Sequence, residues 1–283
     1  MREPNHTVGE KGGAAPARHV TCPSPRPASL CRVLTKCRDP QVIAHRGMSS
    51  LAPENTLAAF RLCAEHGVTR FELDVDLLAD GTVIVLHDST LDRTTNRTGA
   101  YHELSRADLG RIDAGSWFSP EFAGEPVPTL DQVVDLMNEN GLDANVELKV
   151  RRVPAAQQRA LVTAVARDLD RLDPDRDVLI SSFSPLLLHE FRRVVPGARI
   201  GILFENKRMN GLWHSVGLML DAAALHPSDS TVTRKSVRRF REAGYEVNVY
   251  TVNSRERAEQ LAEWGVTGVF TDRAQDFPED WRA

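Results

Sequence analysis

Acidic and apolar side chains alternate in the segment "RFELDV". Phe71, Leu73 and Val75 alternate there with Glu72 and Asp74. Residues two apart on a β-strand project from the same face, so Glu72 and Asp74 are predicted to lie side by side. For one such acid alone, an internal salt bridge is the simpler explanation.

A second segment, "DANVELKV", shows the same alternation, with Asn145, Glu147 and Lys149 on one face. If the two strands are neighbours, Glu147 joins Glu72 and Asp74 at one site. Three partly buried carboxylates are unfavourable unless a cation neutralises them, and ligands that are all oxygen favour Mg²⁺ or Ca²⁺ over Zn²⁺. The pattern therefore predicts a divalent cation site.

Two histidines follow short apolar segments, His45 in "VIAHRG" and His87 in "VIVLHD". Imidazole titrates near neutral pH, and two imidazoles beside convergent carboxylates are predicted to act as an acid/base pair. His226, in "ALHP", is a weaker candidate of the same kind.

After residue 40, short β-branched segments alternate with amphipathic ones, which is typical of parallel strands joined by helices. The predicted strands are residues 41–45, 70–75, 143–150, 177–183, 198–204, 220–226, 246–253 and 267–272. Eight strand–helix units in one domain predict a (β/α)8 TIM barrel, with a doubly wound sheet as the alternative. In a barrel, the polar residues near the strand ends meet at the mouth.

The chain between the second and third barrel strands departs from this rhythm. Only "ADGT" precedes the apolar run "VIV", a connection too short for a parallel crossover, so an antiparallel ribbon is predicted. A small inserted segment over the mouth, at about residues 88–128, is predicted to be polar. Its Trp117 and Phe118 either cover the substrate or serve in packing. In the first helix, Asn55 is the predicted N-cap.

Composition and charge narrow the function classes. The 283 residues are 41% hydrophobic and 26% charged, and the net charge of -4 gives no reason to expect a nucleic-acid or anionic membrane partner. No stretch of about 18 apolar residues is present, and a secretory signal is absent, so a cytoplasmic location is predicted.

Residues 1–39 differ in composition from the rest of the chain. They hold seven Lys/Arg residues against three acids and are rich in Pro, Gly and Ala, so a disordered N-terminal extension is predicted before a barrel domain at 40–283. A basic organellar leader or a wrongly assigned start codon would also explain this segment. Three of the four cysteines, Cys22, Cys31 and Cys37, lie there without metal-binding spacing and are predicted to be reduced thiols.

A series of motifs runs over about residues 41–272. In order they are "AHRG", "LAPENTLAAF", "FELDVDLLADGTVIVLHD", "LDRTTN", "DAGSWFS", "GEPVPTL", "NVELK", "LISSFS", "VYTVN" and "GVTGVFTD". This combination resembles the glycerophosphodiester phosphodiesterase family, most closely its cytosolic bacterial members. Either "HRG" or "HD" alone would be weak evidence for that family.

The resemblance implies a TIM barrel that hydrolyses glycerophosphodiesters, such as glycerophosphocholine and glycerophosphoethanolamine, to sn-glycerol 3-phosphate and an alcohol. Carried over by position, it assigns the general acid and base to His45 and His87, the ligands of one Mg²⁺ or Ca²⁺ ion to Glu72, Asp74 and Glu147, and phosphate binding to Arg46 and Lys149. The partner it implies is a small-molecule glycerophosphodiester.

Two rival functions remain. A phospholipase D-like or phosphoinositide-cleaving barrel shares the histidines and acids but needs lipid access, and no basic amphipathic helix or exposed apolar stretch is apparent, so no stable membrane association is expected. The second alternative, a barrel that binds a phosphate compound without catalysing a reaction, would not need both histidines. The released alcohol, the choice between Mg²⁺ and Ca²⁺, the separate roles of the two histidines and the oligomeric state stay open.

Overall fold

The structure, a computed structural model, describes residues 40–150, 154–204 and 212–282. The predicted extension at 1–39 and its three cysteines lie outside these residues, and the division of the chain at residue 39 stays a prediction. The fourth cysteine, Cys63, is buried, and burial raises the pKa of its thiol, in keeping with an unreactive core residue.

The strands of the described residues form a closed parallel barrel. The strands are β1 (Gln41–Ala44), β2 (Arg70–Leu77), β3 (Val83–Val85), β4 (Asp143–Leu148), β5 (Val178–Ser182), β6 (Arg199–Phe204), β7 (Ala224–Pro227), β8 (Glu246–Val249) and β9 (Gly268–Thr271). All except β3 pair in parallel with their neighbours, and β1 pairs with both β2 and β9. The predicted TIM barrel is confirmed, because a doubly wound sheet would have two open edges.

Helices surround this barrel. They are α1 (Leu57–Glu65), α2 (Arg106–Leu109), α3 (Leu130–Asn140), α4 (Ala155–Leu169), α5 (Pro185–Val194), α6 (Leu212–Leu220), α7 (Arg234–Glu242), α8 (Arg255–Trp264) and α9 (Glu279–Arg282). The core lies between helices and strands, as where Phe60 of α1 stacks on Phe71 of β2 with ring centroids 4.4 Å apart. No helix in the described ranges combines the length and the apolar character needed to cross a membrane.

Helix α3 shows how the sequence defines these elements. Thr129 and Gln132 form a capping box at its start, and Gly141 ends it in the left-handed conformation, with φ 68. Between these signals, Val133 and Met137 are four residues apart on the buried face.

Strand β3 pairs antiparallel with β2, in the ribbon predicted from the short "ADGT" connection. Residues 86–129 then lead to α3. Although its sequence is largely polar, buried apolar residues of this segment, among them Leu91, Tyr101 and Ile112, form a cluster with Ile84 of β3. Its predicted limits, about 88–128, stay a prediction.

One predicted strand begins too early. Residues 220–226 were predicted as a strand, but Leu220 is the last residue of α6 and β7 begins at Ala224. The chain turns at Asp221, whose φ is 46. The apolar run "LDAAAL" carries no periodicity that separates a buried helix end from a buried strand, which explains the error.

A glycine in the loop after β1 is required by close packing. Gly47 has φ 80, and a Cβ there would lie 2.8 Å from Ala59 Cβ and 2.9 Å from the Ala59 carbonyl carbon. We expect Gly47→Ala to lower the free energy of unfolding by about 2–4 kcal/mol, from the strained φ and the clash together.

The matched control is Gly81→Ala, since Gly81 has φ 83 but no atom within 4 Å of the added Cβ. It should cost only about 1 kcal/mol. Urea unfolding measures both variants, and equal losses would contradict the close approach of Gly47 to α1.

Candidate active site

Three carboxylates meet at the C-terminal end of the barrel. Glu72 and Asp74 belong to β2, and Glu147 of β4 is in register with Asp74. One oxygen of each lies within 4.8 Å of the others, and all three residues are buried. The predicted convergence of these acids, called the acidic triad below, is confirmed.

Burial and mutual repulsion perturb the acidic triad. Burial, followed by the charges of Asp74 and Glu147, raises the pKa of Glu72 well above its usual value. Burial and Asp74 likewise raise the pKa of Glu147 to about 7. Burial opposes ionisation of Asp74 too, but Lys149 and Arg46 outweigh it and hold its pKa below the usual range. The positive charges of Lys149 and Arg46 therefore do not fully compensate the negative charge of the acidic triad.

Both predicted phosphate-binding residues contact the acidic triad. Lys149 Nζ donates hydrogen bonds to Asp74 Oδ1 at 3.0 Å and to Glu147 Oε1 at 2.9 Å. The backbone N–H of Arg46 donates to Glu72 Oε2 at 3.0 Å, and its Nε lies 3.5 Å from Asp74 Oδ2. Arg46 has φ 60, a left-handed conformation that is rare for arginine and marks this loop as specialised.

His45 lies immediately after β1, and its backbone N–H donates to Thr271 O at 2.9 Å. Its Nδ1 lies 2.7 Å from Asp272 Oδ1, and its Nε2 lies 4.0 Å from Glu72 Oε2. Asp272 therefore holds the ring so that Nε2 faces the acidic triad. Sequence reasoning gave Asp272 no role, although it ends the motif "GVTGVFTD".

His87 follows β3 and is held in a similar way. Its Nδ1 lies 2.6 Å from Asp88 Oδ1. Burial lowers the pKa of His87, assisted by the charges of Lys149 and Arg46, while Asp74 and Asp88 act in the opposite direction. The lowered pKa favours a neutral ring at pH 7, and an ionised Asp88 places the proton on Nδ1, which leaves a lone pair on Nε2.

The guanidinium of Arg93 links the two histidine loops. It donates to Asp88 Oδ2 from Nε at 2.7 Å and to Glu54 Oε2 from Nη1 at 2.8 Å. Glu54 Oε1 also accepts from Arg46 Nη1 at 2.7 Å. A continuous chain of ion pairs, called the Arg93 bridge below, thus runs from Asp88 beside His87 to Arg46. Its members Arg93 and Glu54 were missed, although both lie in motifs of the resemblance.

The prediction that Asn55 is the N-cap of the first helix is wrong. The N-cap of α1 is Thr56, whose side chain accepts from the Ala59 N–H. Asn55 instead has φ 56, and its Nδ2 donates to Asp74 Oδ2 at 2.8 Å while its Oδ1 accepts from the Asp74 N–H. Asparagine adopts this conformation more readily than most residues, which frees its side chain for the acidic triad.

Two further candidates lie apart from this arrangement. His226 is fully buried, 5.0 Å from the ring of Phe270, and burial lowers its pKa to about 3, so it is neutral. Trp117 packs edge-to-face on Phe118 and donates from its indole N–H to Ala114 O at 2.8 Å. A role for Trp117 in covering a substrate stays a prediction.

The acidic triad fits a hard divalent cation. Its donors are all carboxylate oxygens, and they lie close enough together to bind one ion. The raised pKa values of Glu72 and Glu147 show that Lys149 and Arg46 do not neutralise the cluster completely. A bound divalent cation would supply the missing charge.

Comparison with known proteins gives consistent matches along the barrel. The sequence model of the "Glycerophosphoryl diester phosphodiesterase family" matches residues 45–276. A glycerophosphodiester phosphodiesterase of Caldanaerobacter subterraneus subsp. tengcongensis is 34% identical over 233 residues, which cover 82% of this chain and 93% of that protein. One from Bacillus subtilis is 31% identical and covers 81% of this chain and 82% of its own length.

A solved structure agrees in fold. It is that of an Oleispira antarctica phosphodiesterase in complex with the product sn-glycerol-3-phosphate, with a TM-score of 0.80 and 33% identity over 84% of this chain and 94% of that one. Because the family model spans most of the chain and these relatives match along nearly their whole length, the chain is an enzyme that belongs to the glycerophosphoryl diester phosphodiesterase family.

Proposed function

We propose that this enzyme hydrolyses glycerophosphodiesters, such as glycerophosphocholine and glycerophosphoethanolamine, to sn-glycerol 3-phosphate and an alcohol. The observation that carries the proposal is the pair of imidazoles, His45 and His87, each held through Nδ1 by its own carboxylate. A barrel that only binds a phosphate compound has no need of two positioned imidazoles. The product bound to the Oleispira antarctica relative supports the same reaction.

Charge neutralisation comes first in the proposed mechanism, because a phosphodiester anion repels nucleophiles. Held by Glu72, Asp74 and Glu147, a divalent cation would supply positive charge to the phosphoryl oxygens. Lys149 has one ammonium hydrogen left after its bonds to Asp74 and Glu147, and it can donate this hydrogen to a phosphate oxygen. Among the described residues nothing accepts from Nη2 of Arg46, which leaves that nitrogen for a second oxygen.

Proton transfer is assigned to the two imidazoles. His87, neutral because of its lowered pKa, accepts the proton of a glycerol hydroxyl at Nε2 while that oxygen attacks phosphorus. His45 then donates a proton to the departing alcohol as its P–O bond breaks. Water opens the resulting cyclic phosphate with the two roles reversed, and sn-glycerol 3-phosphate is formed.

The pH dependence of kcat/KM tests this assignment. The rate rises with pH as His87 loses its proton, and because burial lowers its pKa, the midpoint of the acidic limb should lie below about 6.5. A bell-shaped profile is expected, because the mechanism requires the two imidazoles to start in opposite protonation states.

Asp88→Asn sharpens this test. Asp88 raises the pKa of His87, so its loss should move the acidic limb to lower pH, and the freed ring should reduce kcat about tenfold or more. A profile that is flat between about pH 5 and pH 9 in the wild type would contradict the acid/base pair.

Arg46→Lys tests phosphate binding. Lysine keeps the charge but loses the planar fork that reaches Glu54 and a phosphate oxygen together, so we expect kcat/KM to fall about 10- to 100-fold while the fold persists. Arg61→Lys, at an exposed position of α1, is the matched control and should leave kcat/KM unchanged. Full activity of Arg46→Lys would exclude a guanidinium clamp on the phosphate.

The experiment that tests the function is release of sn-glycerol 3-phosphate from a panel of glycerophosphodiesters with Mg²⁺, Ca²⁺ or a chelator. Metal-dependent release, lost in His45→Ala, would support the reaction and rank the alcohols. No release from any substrate by the folded, metal-loaded protein would overturn the proposal.

A further inference from the structure

The two imidazole–carboxylate pairs of the active site are alike in geometry. His45 Nδ1 lies 2.7 Å from Asp272 Oδ1. His87 Nδ1 lies 2.6 Å from Asp88 Oδ1. The proposed mechanism requires the two imidazoles to start in opposite protonation states, so some other feature of the site must distinguish the two pairs.

The carboxylate beside His45 is held by neutral donors. The Asn253 amide donates to Asp272 Oδ2 at 2.7 Å, and the Ser49 hydroxyl donates to Asp272 Oδ1 at 3.4 Å. Within the part of the chain that the structure describes, no Lys or Arg forms an ion pair with Asp272. This carboxylate therefore has no lysine or arginine of the described residues in contact with it.

The carboxylate beside His87 is held by a cation. Arg93 donates to Asp88 Oδ2 from Nε at 2.7 Å and to Asp88 Oδ1 from Nη2 at 3.1 Å. The bonds from Arg93 are the largest of the causes that lower the pKa of Asp88 to about 2, so Asp88 is ionised near neutral pH. A guanidinium bound to an ionised carboxylate weakens the attraction of that carboxylate for an imidazolium on its other side. Arg93 therefore opposes the effect of Asp88 on His87.

Glu54 fixes the guanidinium of Arg93 in this position. It accepts hydrogen bonds from Nη1 and Nη2 of Arg93, both at 2.8 Å. The Glu54 side chain is only 14% exposed, whereas that of Arg93 is 44% exposed. Two carboxylates that each accept two bonds use the planar fork of arginine, which a lysine does not offer. The position of this cation is therefore better defined than that of an exposed ion pair on the protein surface.

Other groups also act on the proton of His87. Burial is the largest cause that lowers the pKa of His87, and the charge of Asp74 opposes it. The charges of Lys149 and Arg46 lower this pKa further, whereas the hydrogen bond to Asp88 raises it. Asp74 belongs to the acidic triad, and Lys149 and Arg46 contact it. Asp88 is the one group of this set that the guanidinium described above binds, so the cation acts on His87 separately from the acidic triad.

We propose that Arg93 is a positioning residue that keeps His87 a proton acceptor by compensating the charge of Asp88. The inference rests on the proposed function, because it concerns the general base of that reaction. Without Arg93, Asp88 would bind an imidazolium at His87 more strongly. At a given pH, less of the enzyme would then carry the free lone pair on Nε2. The effect acts through Asp88, because the bonds of Arg93 are made to the carboxylate.

NMR titration of the His87 ring tests the proposal without a substrate. The full-length protein with labelled histidine is titrated with saturating Mg²⁺ and with a chelator, and the His87 signal is identified by its loss in His87→Ala. In both states Arg93→Gln should raise the midpoint by about 0.5–1 pH unit, and Asp88→Asn should lower it. Adding Arg93→Gln to Asp88→Asn should move the midpoint less than half as far as Arg93→Gln alone does, because the carboxylate has already been removed.

The matched control is Arg97→Gln, four residues after Arg93 in the same segment. Arg97 is exposed, its guanidinium donates to the Arg111 carbonyl at 3.5 Å, and it forms no ion pair with any residue that the structure describes. The control should leave the midpoint within about 0.2 pH unit of the wild type, because solvent screens a distant exposed charge. Arg93→Lys keeps the charge and should shift the midpoint less than half as far as Arg93→Gln. Arg93→Met removes the charge and should shift it as Arg93→Gln does.

The pH dependence of kcat/KM for a glycerophosphodiester gives a second measurement. Relative to the wild type, Arg93→Gln should lose about 3- to 10-fold on the acidic limb and recover as the pH rises. A loss that is equal at every pH would indicate a structural role alone and would refute the proposal. An unchanged or lowered His87 midpoint in Arg93→Gln, or an equal shift in Arg97→Gln, would refute it as well. If the wild type releases no sn-glycerol 3-phosphate but the NMR midpoints shift as expected, the proposed function fails and the action of Arg93 on His87 is supported.

Discussion

His45→Ala is expected to lower kcat about 10³- to 10⁴-fold without unfolding the protein. Its ring is fixed by Asp272 and faces the acidic triad with Nε2, so the variant removes the proposed proton donor and leaves the acids in place. Steady-state kinetics with saturating metal measures the loss. Because the missing group is an imidazole, added imidazole should restore part of the activity at a pH where some of it is protonated.

The control is His189→Ala, at an exposed position of α5, which should retain full activity. Circular dichroism of both variants establishes that the barrel is intact. Activity of His45→Ala within tenfold of the wild type would remove His45 from the proton transfers and require another donor.

Glu72→Gln is expected to lower activity about 10³-fold and, in metal-free protein, to raise thermal stability. Glutamine keeps an oxygen that can accept the Arg46 N–H, so the loop after β1 stays in place. It removes one of three ligands of the proposed cation and also removes a buried carboxylate that repels Asp74 and Glu147. Function and stability should therefore change in opposite directions.

The stability of the metal-free wild type should depend on pH, because the pKa of Glu72 is raised. Folded wild type binds the proton of Glu72 more tightly than unfolded wild type does. The stability that this proton contributes is therefore complete below the unfolded pKa, about 4.5, and is lost as the pH rises through the folded pKa. Metal-free wild type should thus lose stability as the pH rises through the raised pKa of Glu72, and Glu147, with a pKa of about 7, adds to the same trend.

Thermal unfolding with a chelator and with Mg²⁺ or Ca²⁺ checks this prediction. At pH 8 without metal, Glu72→Gln should melt at least about 2–4 °C above the wild type, which corresponds to about 1 kcal/mol for a domain of this size. Added metal should raise the Tm of the wild type and leave that of the variant unchanged. The control Glu139→Gln, on the exposed face of α3, should behave as the wild type does. An equal metal-induced shift in Glu72→Gln would exclude Glu72 as a ligand.

Local patterns were sufficient to predict the barrel. Alternation in "RFELDV" and "DANVELKV" identified strands β2 and β4, and the short "ADGT" connection identified β3 as a ribbon outside the barrel. The start of β7 was predicted too early, because a buried helix end and a buried strand share the same apolar composition. Propensity defines the type of a long element better than it defines its ends.

Sequence patterns predicted the site residues that lie on a strand or directly after one. They missed the residues that reach the site from distant parts of the chain. Asp272 lies 227 residues from His45, and Arg93 lies 39 residues from Glu54, so no spacing in the sequence joins them. Asn55 was misassigned because its left-handed backbone, which turns the amide toward Asp74, is not visible in a capping pattern. Such contacts depend on side-chain directions that only the folded chain defines.

The Arg93 bridge has a consequence for how this site can change during evolution. One guanidinium holds Asp88 and Glu54 together, so replacing Arg93 would leave Asp88 with His87 and Glu54 with Arg46 as their remaining partners. The effects of single and double substitutions among Glu54, Asp88 and Arg93 should therefore be strongly non-additive. Among relatives, these three positions are expected to covary and to be inherited as a set.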